Sequence, residues 1–339
     1  MQNARRTGKF ELATSSKHLD TPPINGTVVI GAINWDTTLF VKGFAGAGEE
    51  TIVKQIIQVP GGKAGNTSVA AARLLGKERV AIFGGLGDDT IATEHIRIFE
   101  QEGIIVSGIK RTKEFHSGQA FIVVDETGEN VIYTHFGANA AITPQDLDEM
   151  NRQKLVSEAL AVAIMDPPLE TATKLAELAE HDGKKVAYDP GVRSEKGLNM
   201  LLPVLTNVDY IISNESEIRN LTGTNDTVRA AEKLRQFSPY LRVVAKLGAQ
   251  GAIMFDSRGR TQCEPLDLRS LGLKPVNTVG CGDAFLGAFV AGLCEGLSDQ
   301  EALRWGSCAA GLKATRAETR GSPDLDTLLM HVDTIKLKN

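Results

Sequence analysis

With 339 residues, 42% of them hydrophobic and 23% charged, the chain has ordinary globular composition, enough for one large α/β domain or two smaller ones. Its formal net charge of −5 argues against a nucleic-acid binder working through a broad basic surface, although a local phosphate site needs only a few donors. No apolar run approaches the ~18 residues of a membrane-spanning helix. Cys263, Cys281, Cys294 and Cys308 form no C-x-x-C pair, which leaves neither a zinc knuckle nor a thioredoxin-type motif. A soluble, cytoplasmic enzyme with reduced thiols is the expectation.

Residues 1–25 carry Arg5, Arg6 and Lys9 with Ser15, Ser16, Pro22 and Pro23, and lack the apolar core of a secretory signal. They read as a disordered tail; their basic, acid-poor character also has a faint likeness to an organelle transit peptide. Over 26–335, short apolar runs alternate with helix-length periodic segments. Strands are predicted over Val28–Ile33, Arg79–Gly84, Ala159–Met165, Lys184–Tyr188, Tyr210–Ser213 and Leu241–Leu247. Helices are predicted over Asn66–Leu75, Thr90–Glu102, Leu169–His181, Glu215–Leu221 and Thr227–Phe237. Such alternation predicts a mostly parallel sheet covered on both faces.

Two stretches break the rhythm. Leu39–Pro60, with Gly43, Gly46 and Gly48, leads into an alternating run over Thr51–Val59. Gly118–Phe136 reads as a hairpin turning at Asp125–Gly128. Both have one wet face, so segments 37–60 and 117–137 are expected to form a small β-lid that keeps water from a reaction. Near the end, Gly282–Gly296 and Asp299–Thr315 are Ala- and Gly-rich helical patterns. Phe285, Phe289 and Leu293 should form one buried stripe there.

Chemistry concentrates at two places. Pro60-Gly-Gly-Lys-Ala-Gly-Asn66 runs into a helix, and its glycines let backbone approach a ligand at the helix N-terminus. Lys63 adds a charge and Asn66 a carboxamide, yet a purely structural strand-to-helix turn explains this cluster equally well. Asn277-Thr-Val-Gly-Cys-Gly-Asp-Ala-Phe285 is more informative. Gly280, Cys281 and Gly282 offer backbone N–H groups at the positive end of a helix. Asp283, beside them, can accept a hydroxyl proton while the backbone holds a transferring phosphoryl group. No G-x-x-x-x-G-K-[ST] segment, no G-x-G-x-x-G after the first strand and no H-R-D or D-F-G occurs. P-loop NTPases, Rossmann dehydrogenases and protein kinases therefore lose their main support.

In order and spacing, these two clusters resemble the signatures of the ribokinase-like (PfkB) carbohydrate kinase family, and the resemblance runs from about Val28 to Leu329. It implies a three-layer α/β/α core with a mostly parallel central sheet and a small β-sheet lid, through which two chains often pair. It also implies ATP as co-substrate with Mg²⁺. Gly31-Ala-Ile-Asn-Trp-Asp36 looks like the first-strand motif, making Asp36, with Asn34 beside it, a ligand of sugar hydroxyls. Gly62, Lys63 and Asn66 fall in the sugar-side glycine motif, and Asp166 stands where ribokinases carry a sugar-facing Glu. Asn214-Glu-Ser-Glu217 matches the N-x-x-E motif, with Glu217 organising Mg²⁺ through water or else a mere helix acid. Lys246-Leu-Gly-Ala-Gln-Gly251 looks like the nucleotide loop, with Lys246, Gly248, Gly251 and later Ser307 on the nucleotide. Asp283 becomes the catalytic base.

Ribokinases also hold K⁺ with an Asp and a Thr just before the anion hole. Asn277 and Val279 replace them here, so a weak or absent monovalent-cation response is expected. Ser117-Gly-Gln-Ala, Gly128-Glu-Asn130 and Gly137-Ala-Asn-Ala140 point to ribose as acceptor. Tyr188-Asp-Pro-Gly191 instead looks like nucleoside- and fructose-directed relatives. Ribose ranks first, a nucleoside second, another sugar or sugar phosphate third. A catalytically idle sugar- or nucleotide-binding regulator on the same scaffold is the leading rival outside the kinases, and retention of Asp283 argues against it.

Overall fold

The computed structural model describes residues 24–338. Most of the expected tail therefore lies outside the described residues. Its last two members belong to the domain: Ile24 is buried, and the Asn25 carbonyl accepts from the Arg79 guanidinium at 2.7 Å.

In chain order the strands are β1 (Thr27–Gly31), β2 (Asn34–Val41), β3 (Val53–Gly61), β4 (Val80–Gly87), β5 (Ile109–Thr112), β6 (Gly118–Val124), β7 (Asn130–His135), β8 (Ala161–Met165), β9 (Lys185–Asp189), β10 (Tyr210–Asn214), β11 (Arg242–Lys246), β12 (Ala252–Asp256), β13 (Gly259–Cys263) and β14 (Leu337–Lys338). The helices are α1 (Lys63–Leu75), α2 (Thr90–Gln101), α3 (Met150–Glu158), α4 (Leu169–His181), α5 (Leu198–Leu205), α6 (Glu215–Thr222), α7 (Thr227–Arg235), α8 (Cys281–Cys294), α9 (Asp299–Ala314) and α10 (Leu325–Val332). Among the described residues, none of these helices is long and apolar enough to cross a membrane.

Ten strands form one sheet in the order β14-β13-β12-β11-β10-β9-β8-β1-β4-β5. From β11 to β5 every pairing is parallel; β12, β13 and β14 add an antiparallel edge. Side chains alternate across such a sheet. Val28 and Ile30 thus enter the core beneath α3–α7, while Val29 between them enters the core beneath α1, α2 and α8–α10. Two apolar faces explain why the strands read as continuous hydrophobic runs. The three-layer expectation is met.

Helix α8 departs from the expected single stripe. Phe285 and Phe289 are buried, Leu293 only partly, and nearly every residue between Asp283 and Ala291 is also buried. Packing between α1 and α9 leaves α8 no wet side, so its sequence carries little helical periodicity.

The second sheet has the order β3-β2-β6-β7. Its outer pairs are antiparallel, but β2 and β6 run parallel, with Asn34 opposite Gly118. Four-stranded and separate, it takes β3, β6 and β7 from the two segments that broke the alternating rhythm, while most of β2 lies before Leu39, outside them.

Candidate active site

Register explains why distant residues meet. Gly31 pairs with Met165, Met165 with Asp189, and Asn214 with Lys246, so the carboxyl ends of β1, β8, β9, β10 and β11 share one edge. Ligands of open α/β sheets bind at that edge. Asp166, Asp189, Asn214 and Lys246 stand there because each ends or follows a strand.

Two helix N-termini frame the edge. At α1 the N-cap is Gly62, with φ +84°; a Cβ there would lie 2.4 Å from the Asn34 nitrogen, so only glycine fits. At α8 the N-cap is Gly280, with φ +83°, and a Cβ would lie 2.4 Å from the Thr319 carbonyl oxygen. The Cys281 N–H, expected among the anion-hole donors, is instead bonded to the Thr278 carbonyl at 3.2 Å in a tight turn. The N–H groups of Gly280, Gly282 and Asp283 have no hydrogen-bond partner among the described residues, which makes them the open donors.

Asp283, in the first turn of α8, is buried, and burial raises its pKa against the pull of Lys63 and the Asn66 hydrogen bond. Asn66 Nδ2 donates to Asp283 Oδ2 at 2.8 Å, while Asn66 Oδ1 accepts from Arg320 Nε at 3.1 Å. Both ends of this amide are thus engaged. Asn66, expected as a sugar ligand, stands against the Asp283 carboxylate and steadies it.

Arg320 is the main residue that local motifs miss. It donates to the Gly61 carbonyl at 2.9 Å, approaches His95 Nδ1 at 3.4 Å and lies over the Phe99 ring at 5.1 Å. Since Nδ1 accepts, Nε2 of His95 carries the proton and donates to the Asn34 carbonyl at 3.0 Å. Burial and the Arg320 charge hold His95 neutral, its pKa lowered to about 3. Asn139 performs a similar service: its amide bonds both backbone groups of Ile33 and donates to Asn34 Oδ1 at 2.8 Å.

Asp36 leans over Gly61, where a Cβ would lie 2.0 Å from its carboxylate. Burial raises its pKa from 3.8 to about 6, with Arg320 opposing and Asp283 adding to the rise. The folded state therefore holds this proton more tightly than the unfolded chain, and Asp36 makes the protein lose stability as pH rises from about 4 to about 6. Asp36→Asn lacks this titration. Its melting temperature should gain on wild type as pH rises from 4 to 7; a gap that stays constant over that range would contradict the assignment.

A second cluster surrounds Asp189, which is almost completely buried. Lys63 Nζ reaches its Oδ1 at 2.9 Å and Lys246 Nζ its Oδ2 at 2.8 Å, and the Gly191 N–H donates to Oδ1 at 3.0 Å. Burial opposes the charge, yet Lys246 and Lys63 hold this carboxyl far below its ordinary value. Lys63 also lies 3.4 Å from Glu217. Asp166, expected to face a sugar, has positive φ (+59°) and lies 3.0 Å from Arg193 Nε. Burial still lifts its pKa to about 7.

Asn214 and Glu217 form a reciprocal capping box at the start of α6: Glu217 N–H donates to Asn214 Oδ1 at 2.9 Å, and Asn214 N–H to Glu217 Oε2 at 3.0 Å. Gly248 and Gly251 shape the exposed turn after β11, closed by Leu247 N–H to the Gly251 carbonyl at 2.8 Å. Ser307 sits apart on α9, its hydroxyl buried near Cys263 and outside the carboxylate cluster. Of the four cysteines, all are free thiols and only Cys281 borders the site.

Among the described residues, no three His, Cys, Asp or Glu side chains gather closely enough to hold a metal ion between them. A Mg²⁺ that arrives with nucleotide phosphates keeps most of its waters and needs one nearby carboxylate. Glu217 fits that lesser requirement, since its Oε1 has only the 3.4 Å Lys63 contact.

Comparison with known proteins gives the same answer. A model of the pfkB family carbohydrate kinases matches residues 25–326. The ribokinase of Haemophilus influenzae is 31% identical over 303 residues, covering 87% of this chain and 94% of that one. The ribokinase structure from Thermotoga maritima has a TM-score of 0.78 at 27% identity, covering 90% of this chain and 98% of that one. An Arabidopsis thaliana ribokinase complexed with ribose and ATP shares the fold, with a TM-score of 0.81 at 24% identity over 91% and 98% of the two chains. With both signature clusters at one sheet edge and the match spanning nearly the whole described chain, the protein belongs to the pfkB family of carbohydrate kinases.

Proposed function

We propose that this sugar kinase transfers the γ-phosphoryl group of ATP to a hydroxyl of ribose, with Asp283 as general base. The observation that carries this reading is a buried carboxylate in the first turn of α8, beside open backbone donors and held by Asn66. The Gly280, Gly282 and Asp283 N–H groups receive the charge of the transferring phosphoryl group. Lys63 and Lys246, both fixed by Asp189, supply positive charge at the same edge. Asp36 and Asn34 orient the sugar, and the second sheet excludes water as a lid. Mg²⁺, bound near Glu217 with the nucleotide, supplies charge neutralisation at the phosphates. Gly248 and Gly251 receive the nucleotide in the turn after β11. The exposed Ile56, Ile132 and Tyr133 on the second sheet support pairing of two chains through it.

Removing a sugar hydroxyl tests the acceptor. A polar site left unpaired loses roughly 1–3 kcal/mol, so 2-deoxyribose should have a kcat/KM roughly 5- to 150-fold below that of ribose. Equal efficiencies would overturn the ribose assignment and favour a nucleoside or another sugar.

A further inference from the structure

Lys313, in the last turn of α9, is completely buried. An ammonium without a counter-ion is costly to bury, and no carboxylate lies within ion-pair distance of it among the described residues. Instead its Nζ donates to the Asn277 carbonyl at 2.9 Å and reaches the Arg316 carbonyl at 3.5 Å. The surrounding backbone is tightly tied. Val276 and Asn277 N–H groups both donate to the Ala314 carbonyl, at 2.7 and 3.1 Å. Asn277 Nδ2 donates to the Ala317 carbonyl at 2.7 Å, and Asn277 Oδ1 accepts from the Val279 N–H at 3.0 Å.

The segment so gripped leads straight into Gly280. Its shape decides where the open N–H groups of α8 point. Burial lowers the Lys313 pKa, while Cys281, Glu318 and Asp283 act in the opposite direction. Those three are the titratable groups that face it from the neighbouring elements.

We propose that the Lys313 ammonium is a built-in cation of the anion hole, holding the Asn277–Gly280 segment by its carbonyl and placing fixed positive charge behind the donors of α8. This rests on the phosphoryl-transfer reading of that hole. Lys313 touches no reacting atom; it is a positioning residue. With an ammonium of the chain's own on these carbonyls, a free monovalent cation has little left to bind. That reason adds to the replacement of the expected Asp and Thr by Asn277 and Val279.

The test uses the full-length chain and three proteins. Wild-type turnover should agree within about twofold between KCl and tetramethylammonium chloride at equal ionic strength. Lys313→Met keeps the buried stem and removes the charge. It should fold, lose roughly 10- to 100-fold in kcat with sugar KM little changed, and respond to no added cation. Lys313→Ala opens a space lined by carbonyls. Its turnover should rise several-fold and saturably with ammonium or methylammonium but not with tetramethylammonium, and the same small cations should raise its melting temperature. A folded Lys313→Met with wild-type kcat overturns the proposal. So does a folded Lys313→Ala whose turnover and melting temperature ignore every small cation. If Lys313→Ala does not fold, the Met variant decides alone. Wild type inactive on every acceptor would count against phosphoryl transfer instead, and the melting temperature of Lys313→Ala in ammonium would still report on the cation site.

Discussion

Asp283→Asn is expected to lower kcat by roughly 10²–10⁴-fold while leaving the fold and nucleotide affinity close to wild type. The amide keeps the size of the carboxylate and still meets the Asn66 amide, but it cannot take a proton. A carboxylate with a pKa near 4 is ordinarily a weak base for an alcohol. Burial raises this one, which makes it a better base. Phosphoryl transfer makes a modest demand on it, because the transition state is loose and the hydroxyl proton leaves late. Positioning and the open donors of α8 supply the rest of the acceleration. The same raised pKa predicts that activity fails on the acid side at a higher pH than an ordinary Asp would give. The comparison requires kcat, nucleotide Kd by calorimetry and a melting curve on one pair of preparations. Wild-type kcat in a folded variant would remove Asp283 from the chemistry.

Asp189→Asn is expected to destabilise the protein by about 3–5 kcal/mol, the usual loss when one partner of a buried ionic group is removed. Two ammonium groups, Lys63 and Lys246, share this carboxylate, and among the described residues only Lys63 has a second carboxylate, Glu217, at ion-pair distance. The sign with pH follows from the depressed pKa. Stability contributed by Asp189 is present above its unfolded value of about 3.8 and is lost as pH falls toward the much lower folded value. The deficit of the variant should therefore be full at pH 7 and shrink on acidification below about pH 4. Urea unfolding at both pH values measures it; a deficit under about 1 kcal/mol at pH 7 would show that the two lysines are satisfied without Asp189.

These two residues also show what a sequence discloses. Asp283 could be singled out because part of its setting is local, the glycines and the helix start lying within four residues, although its bond from Asn66 is not. The strands of the central sheet were legible for a similar reason, since burial on both faces leaves unbroken apolar runs. Asp189 stood in view inside Tyr188-Asp-Pro-Gly191, yet its role depends on Lys63, 126 residues earlier, and Lys246, 57 later. Nothing in its neighbours reveals that. Arg320 carries still less signal, because its bond to Asn66 spans 254 residues and its surroundings form no motif. Asn66 could be singled out from its glycine-rich cluster, but its bond to Asp283, 217 residues away, could not, since a carboxamide reads alike whether it meets a sugar, another side chain or both. The short strand β5, the antiparallel edge of β12, β13 and β14, and helices α3, α5 and α10 escaped because short elements at a sheet margin carry little periodicity.

One measurement bears most directly on the account: ADP and phosphorylated acceptor quantified together, with Mg²⁺ and ATP, across ribose, nucleosides and no acceptor. ADP release should depend on acceptor, with one phosphorylated product per ADP and ribose turned over most efficiently. Ribose and ATP that bind, as seen by thermal shift, without any acceptor-dependent ADP would contradict it and identify the chain as an idle member of its family.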